Sequence, residues 1–395
     1  MKKKLLFIHH AVGWGGAPIN MINVIEHLDK SKFDIEVLLI KDSVVSEQLK
    51  KRNIKYSVVS NWYYRKYYNF FSHTVIGMIK WYKIHKVLYL TIHWLLSRYI
   101  FSSKVLSEHE FDIVHLNSSV LTDWLASCKK KGSVVIHIQE PFSNGYFGIR
   151  SGFFRRQMKK YADIIITISH DNARRIGIPG KTEVIYNYSD IPLSQPCANS
   201  YSSKKVLYLG GNQFVKGFYT LVNALDYLNK GVIVYFGGNY EVKSNSINMI
   251  KNLISLLLKA GNKKKNAINK MRNHKSAVEI GVVSNISEYL DDVCCLVAPS
   301  SVTHFSRPAI EAHLHKKPAI VTDIAGMDEI ITHEINGLIV PKNSPKKLAE
   351  AINYVTDNSK IAKLYGEAGY TTAIIKFSPN NIQLYEQLYD KVLMK

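Results

Sequence analysis

The chain has 395 residues, 46% of them hydrophobic and 21% charged, and a net charge of +21. That length predicts two domains, and that composition excludes a disordered chain. A transmembrane helix is not expected: the longest apolar stretch, residues 87–96, is broken by His93 and is too short to span a bilayer.

The apolar run behind Lys2-Lys3-Lys4 is too short for a signal peptide, because His9-His10 ends it. Residues 5–9 read instead as a first buried strand. The loop Gly13-Trp14-Gly15-Gly16-Ala17-Pro18 follows, then a helix with Ile22, Ile25 and Leu28 on one face. Strand, glycine loop and helix in that order open a Rossmann-like domain, although the loop lacks the Gly-x-Gly-x-x-Gly spacing. Further strands are predicted at 34–40, 54–59, 112–115, 134–138, 164–168 and 183–185. They alternate with helical segments, as in a doubly wound parallel sheet. Polar residues stand at the ends of the later strands: His115 and Asn117, His137 to Glu140, Ser169, and Asn187. Singly these would be ordinary caps; together they point to one shared crevice.

The charge is concentrated. Residues 50–107 hold eleven Lys or Arg, fourteen aromatic residues and no acid. Residues 243–278 hold nine Lys or Arg and no acid, so the two stretches supply twenty of the twenty-one net charges. A localised basic surface implies an anionic partner. On a helix, Trp81, Ile84, Leu88, Ile92 and Leu95 form one face, with Lys83, Lys86, His93 and Ser97 opposite. That is an interfacial amphipathic pattern, so the partner expected is an anionic membrane surface. The plainer reading is that the apolar face packs on the sheet beneath it. Bases could stack on such aromatics, but no nucleic-acid module accompanies them, and no nucleic acid is expected as a partner.

Pro192, Pro196, Asn199 and four serines mark a linker at 190–203. The second domain opens with a strand at 205–209 and the loop Gly210-Gly211-Asn212-Gln213-Phe214-Val215-Lys216-Gly217. A lysine between such a loop and a helix makes a phosphate site. A strand at 232–236 is followed by a Lys/Asn-rich insert at 241–276, helical around 250–258, and the fold resumes at 278–283. The run Cys294-Cys295-Leu296-Val297-Ala298 is a buried strand ending at Pro299. Cys128, Cys197, Cys294 and Cys295 show no metal-ligand spacing, which fits a reducing cytoplasm. Pro308 sits at the first turn of a helix running through Ile310, Glu311, Ala312 and Leu314. A strand at 319–321, a turn at Ala325-Gly326 and a helix with Glu329 in its first turn come next. Ligands of such units bind at the strand carboxyl ends. There the N–H groups of Ser306 and Arg307 suit a diphosphate, and Glu311 could accept from a ribose diol. Helices at 345–355, 361–373 and 380–393 close the chain.

The stretch from Pro299 to Pro341 resembles the signature of retaining glycosyltransferases of the GT-B fold, family 4. Pro299-Ser300, Phe305, Pro308, Glu311-Ala312, Lys317-Pro318, Gly326, Glu329, Asn336-Gly337-Leu338 and Pro341 match. Lys216-Gly217 matches the family's Lys-Gly, and Gly15-Gly16 its first glycine loop. Asp112 to His115 and Asn187-Tyr188-Ser189-Asp190 also correspond. In Val135 to Glu140 either Gln139 or His137 holds the place of the active-site histidine. Two positions depart: Thr303 stands for the first glutamate of the signature, and Gly210 or Gly211 for a diphosphate-binding arginine. Arg307 is the nearby candidate to replace that arginine.

The resemblance implies two Rossmann-like doubly wound parallel-sheet domains facing across a cleft. Residues 1–190 would bind the acceptor and 191–378 the nucleotide sugar, with a helix at 379–395 crossing back to the first domain. The donor is a substrate, and no cofactor or metal is required. Lys216, the Gly15-Gly16 backbone and the helix N-terminus near Ser306 would stabilise the departing nucleoside diphosphate. Glu311 would hold the ribose, Gly210, Gly211, Phe305 and Arg307 would line the donor side, and His137 or Gln139 would contact the sugar or acceptor. The implied role is hexosyl transfer with retention to a lipid-linked or other glycan acceptor in surface polysaccharide assembly. The enzyme would be cytoplasmic and peripheral on the inner face of the cell membrane. Two alternatives stand beside it: a GT-B sugar-nucleotide epimerase, and a non-catalytic GT-B subunit of a glycan-synthesis complex, for which Thr303 and the absent arginine speak.

Overall fold

Short runs of Val, Ile and Leu bounded by polar loops dominate the interior, and they form two parallel sheets. The structure, a computed structural model, describes residues 2–10, 12–70, 84–189, 198–241, 260–283 and 285–394. The chain divides into two units, one of Met1–Asp190 with Ser378–Lys395 and one of Ile191–Phe377.

The first unit holds β1 (Lys3–His9), β2 (Phe33–Leu39), β3 (Tyr56–Val58), β4 (Ile113–Leu116), β5 (Ser133–Ile138), β6 (Ile164–Thr167) and β7 (Thr182–Val184). Their order is β3-β2-β1-β4-β5-β6-β7, with every pairing parallel. Parallel strands need crossover helices, which cover both sheet faces. Both faces are therefore apolar: Leu6, Ile8, Val114 and Ile136 belong to one core, and Leu5, Phe7, Ile113 and Val135 to the other. The helix Ile382–Leu393, at the far end of the chain, supplies Tyr385, Tyr389 and Val392 to that second core.

The second unit holds β8 (Lys205–Tyr208), β9 (Ile233–Gly237), β10 (Ala277–Gly281), β11 (Cys295–Ala298), β12 (Ala319–Thr322) and β13 (Gly337–Val340). Their order is β10-β9-β8-β11-β12-β13, again all parallel. The helix Ala260–Asn273 buries Ile268 and Met271 in this core. The helical region expected at 250–258 and the linker residues 190–197 lie outside the described residues.

Two expectations are corrected. No helix forms behind Ala325-Gly326: residues 327–331 make a single turn, with Ile331 N–H bonded to Met327 O at 2.8 Å. The Asn336 side chain stops it there. Its Oδ1 accepts from Thr332 N–H at 2.8 Å, and its Nδ2 donates to Ile330 O at 3.2 Å. Backbone groups satisfied by a side chain have no need of a further helical turn.

The second correction concerns the helix Ile84–Leu96. Its apolar residues Leu88, Ile92 and Leu95 face solvent, whereas His93 and Ser97 are buried. Tyr63 Oη lies 2.7 Å from His93 Nδ1, and Tyr64 Oη lies 2.6 Å from Ser97 Oγ. The inward face thus meets a polar and aromatic layer in which His93 and Ser97 find partners, and the apolar face does not pack on the sheet. Trp81 and Lys83 lie outside the described residues.

Candidate functional site

In the second unit β8 and β9 end around a cavity of about 580 Å³. Its wall is made by Gly210, Gly211, Lys216, Gly238, Glu241 and Lys264, among others. A smaller hollow adjoins it, lined by Gly210, Lys216, Ser300, His304, Ser306 and Pro308. Gly210 and Lys216 belong to both, so the glycine loop and the signature stretch converge on one lysine.

Lys216 ends a short 3-10 turn, and Gly217 then adopts φ +79 as the N-cap of the helix Phe218–Ala224. A Cβ on Gly217 would lie 1.8 Å from Pro299 O. Only glycine lets this turn press against the end of β11. Ser301 N–H to Val215 O at 3.0 Å and Ser301 Oγ to Phe214 O at 3.1 Å lock the two loops together. Lys216 Nζ is thereby brought into hydrogen-bond contact with His304 Nε2. Burial lowers the Lys216 ammonium to about 8. Burial, and then the charge of Lys216, lowers His304 to about 3, so the imidazole is neutral and accepts.

The helix Arg307–Leu314 begins at Ser306, has Pro308 in its first turn, and carries no side-chain cap. Arg307 Nε binds Glu311 Oε1 at 2.7 Å. The residue expected to replace a diphosphate cation therefore holds the carboxylate expected to hold the ribose. Phe305 packs edge-on against Phe377, with ring centroids 6.0 Å apart.

In the first unit Gly15 and Gly16 are exposed at the uncapped N-terminus of the helix Gly16–His27. Asn117, just past β4, donates to Ala17 O at 3.2 Å and to His9 Nδ1 at 3.0 Å. Gln139, just past β5, donates to Asn117 Oδ1 at 2.9 Å and accepts from Asn187 Nδ2 at 3.1 Å. These contacts join the glycine loop, the ends of β1, β4 and β5 and the segment after β7 in one polar network. Glu140 Oε1 beside it accepts from Ser118 Oγ at 2.7 Å and Ser119 N–H at 2.8 Å. Burial raises its carboxyl, and those bonds pull it back down.

The two candidates of β5 part company here. Gln139 is half-exposed at the strand end, while His137 is buried, with its ring 5.8 Å from Tyr385 and 5.3 Å from His115. Burial lowers His137 to about 3, which keeps it neutral.

His304 and Lys264 are the residues that sequence reasoning passed over. His304 could have been found as the neighbour of Thr303 in the signature. Lys264 lies in the basic insert, where nothing separates it from the lysines on either side.

A family model of glycosyltransferase family 4 matches residues 14–191, and one of glycosyl transferases group 1 matches residues 198–372. The chain is 22% identical over 294 residues to an uncharacterized glycosyltransferase of Methanocaldococcus jannaschii, spanning 72% of this chain and 78% of that one. Among solved structures, Anabaena HepE in complex with UDP and glucose superposes with a TM-score of 0.74 at 18% identity, covering 98% of this chain and 99% of that one. TarM of S. aureus superposes at 0.70 with 13% identity, each chain fully covered. Two parallel-sheet units with these neighbours define a GT-B fold. Since the two family models each match one half, the chain is a glycosyltransferase of the family 4 type.

Proposed function

We propose that this enzyme transfers a hexose from a nucleoside-diphosphate sugar, with retention of anomeric configuration, to a membrane-linked glycan acceptor in surface polysaccharide assembly. The observation that carries the reading is the position of Lys216, shared by two adjoining hollows at the carboxyl ends of β8 and β11. That HepE was solved with UDP and glucose in the same fold supports a nucleotide-sugar donor.

When the sugar leaves, negative charge grows on the diphosphate. Lys216 meets it from a half-buried position, where its charge is less screened than that of an exposed lysine. Lys264 faces the same cavity and adds a second positive charge, in place of the absent arginine. The open helix start at Ser306 offers N–H groups to the same anion. Glu311, oriented by Arg307, takes the ribose hydroxyls. Gly210 and Gly211 line the cavity that the phosphates would enter. In the first unit the Gly15-Gly16 backbone offers N–H groups to an anionic part of donor or acceptor, and Gln139 contacts the sugar or acceptor. No step in this scheme passes through a metal. The acceptor reading rests on the basic, acid-free sequence of residues 50–107 and on the outward apolar face of the helix Ile84–Leu96.

The test is a screen of nucleoside-diphosphate sugars by thermal shift, since a selective ligand raises stability through linkage. The stabilising donor is then incubated with membrane extract, and the new glycosidic bond is read by NMR. An α-linked product from an α-linked donor is expected. An inverted product would refute retention, and a free epimerised sugar would indicate the epimerase instead. Donor binding without transfer to any acceptor would indicate a binding subunit.

A further inference from the structure

The first unit has a second cavity, of about 310 Å³, that the reaction does not use. Arg98, Tyr99, Ser127, Lys129, Lys130 and Tyr161 line it. Lys129 and Lys130 lie at the end of the helix that leads into β5, and Tyr161 at the end of the helix that leads into β6. The cavity therefore opens at the amino-terminal end of the sheet, away from Asn117, Gln139 and the glycine loop.

Arg98 is only 8% exposed, and its Nη1 has no hydrogen-bond partner. Its guanidinium lies 5.2 Å from the ring of Trp94, 5.3 Å from Tyr99 and 4.8 Å from Tyr161. Tyr161 also takes a hydrogen bond from the guanidinium, and the aromatic faces offset part of the cost of burying the cation but leave Nη1 without a partner. Asp123 is near enough to feel its charge, yet that carboxylate takes hydrogen bonds from Tyr68 and Ser97. Lys129 is held by Asp163 at 2.8 Å, whereas Lys130 has no ion pair among the described residues. The site thus pairs one unpartnered guanidinium N–H at its wall with an unpaired ammonium, donors that suit a phosphate.

What lies beside it narrows the source of that phosphate. Leu88, Ile92, Leu95 and Tyr99 form one helical stripe, exposed by 66%, 47%, 41% and 70%. The π-helical turn Ser97–Phe101 continues the helix and sends Arg98 inward while Tyr99 stays out. The apolar stripe therefore ends on a residue that lines the basic cavity.

We propose that this cavity holds the phosphate of an anionic phospholipid headgroup while the Leu88-Ile92-Leu95-Tyr99 stripe lies in the headgroup layer. The proposal rests on the membrane reading above and assigns it a site. Flotation of the full-length protein is measured with phosphatidylcholine vesicles, with and without phosphatidylglycerol. The wild type is expected to float with the anionic vesicles alone. Lys86, exposed on the same helix and remote from the cavity, serves as the control for loss of one charge. Lys86→Gln should weaken binding by about fivefold, the effect of one surface cation. Arg98→Gln and Lys130→Gln should each weaken it by more than about tenfold. Thermal unfolding checks that Arg98→Gln is folded, and the exposed Lys130 carries the test if it is not.

Losses at Arg98 and Lys130 no larger than at Lys86 would overturn the site and leave a diffuse membrane contact. No flotation of the wild type with either lipid would overturn the membrane reading and the site with it. If inorganic phosphate or glycerol phosphate binds without vesicles, with the same dependence on Arg98 and Lys130 and no flotation, the ligand is soluble and the lipid assignment fails.

Discussion

Replacing Lys216 with methionine keeps the length of the side chain and removes its charge. A charge-assisted contact to a diphosphate is worth about 1.5–3 kcal/mol, so UDP should bind roughly 10- to 150-fold more weakly. Uridine, which has no phosphate, should bind as before. The pH dependence follows from the lowered Lys216 value of about 8. A bound diphosphate favours the ammonium and raises that value, so donor binding takes up a proton above about pH 8. UDP affinity should therefore be flat below about pH 8 and fall about tenfold per pH unit above it. His304 stays neutral down to about 3 and adds no slope there. Stability has the opposite dependence. The folded value lies below the unfolded one of 10.5, so the unfolded chain binds more protons between the two. This group's contribution to stability is unfavourable and constant below about pH 8, and it is relieved as pH rises toward 10.5. The methionine variant should thus unfold at a higher temperature at neutral pH while binding UDP less well. Titration calorimetry with UDP and uridine across that pH range, in buffers of different ionisation enthalpy, reads all of this. Equal losses for UDP and uridine, or an unchanged slope in the variant, would refute the assignment of Lys216 to the diphosphate.

Lys264→Ala should also weaken UDP binding and spare uridine, by about tenfold for one charge-assisted contact, as measured in the same titration. Thr303→Glu restores the carboxylate of the family signature: if the pocket keeps the family's sugar subsite, turnover should hold or rise, and if it is rebuilt around another sugar, donor affinity should fall. Unchanged kinetics would place Thr303 outside the site. Gly217→Ala must abandon φ +79 or push Pro299 away, at a cost of about 2 kcal/mol or more, seen as a lowered midpoint of denaturant unfolding. Gln139→Ala breaks bonds to Asn117 and Asn187 at the strand ends; kcat should fall while UDP affinity is unchanged.

The strands were legible because a parallel strand is buried on both faces and reads as an unbroken apolar run, as in Ile164 to Ile166 or Leu296 to Ala298. The loops that shape the cavity of the second unit were legible through glycine and proline, whose backbone limits are local. What failed had a non-local cause. The turn at 327–331 is ended by Asn336, a side chain from the next strand's approach. The helix Ile84–Leu96 shows its two faces in sequence, but which one turns inward depends on Tyr63 and Tyr64, some thirty residues earlier. Lys264 reaches the cavity only because Ile268 and Met271 dock their helix in the core, which a charge count cannot show. His304 needed Gly217 to bring Lys216 against it.

The helix Ile382–Leu393 gives the polypeptide an unusual order of completion. It covers the sheet face that carries Phe7, His115 and His137, with Tyr389 Oη 2.8 Å from His115 Nδ1. The first unit is therefore discontinuous, while residues 191–377 form the other unit without interruption. A ribosome adding roughly 5–20 residues per second takes about 10–40 s to make that intervening stretch. For all of that time the earlier unit lacks its last layer, with apolar strand surface uncovered. The later-made unit can close first, and the earlier-made one is finished only when the final helix emerges. A chaperone that binds exposed apolar strands would meet this nascent chain through its first half, and the hold should end when residues 382–393 dock.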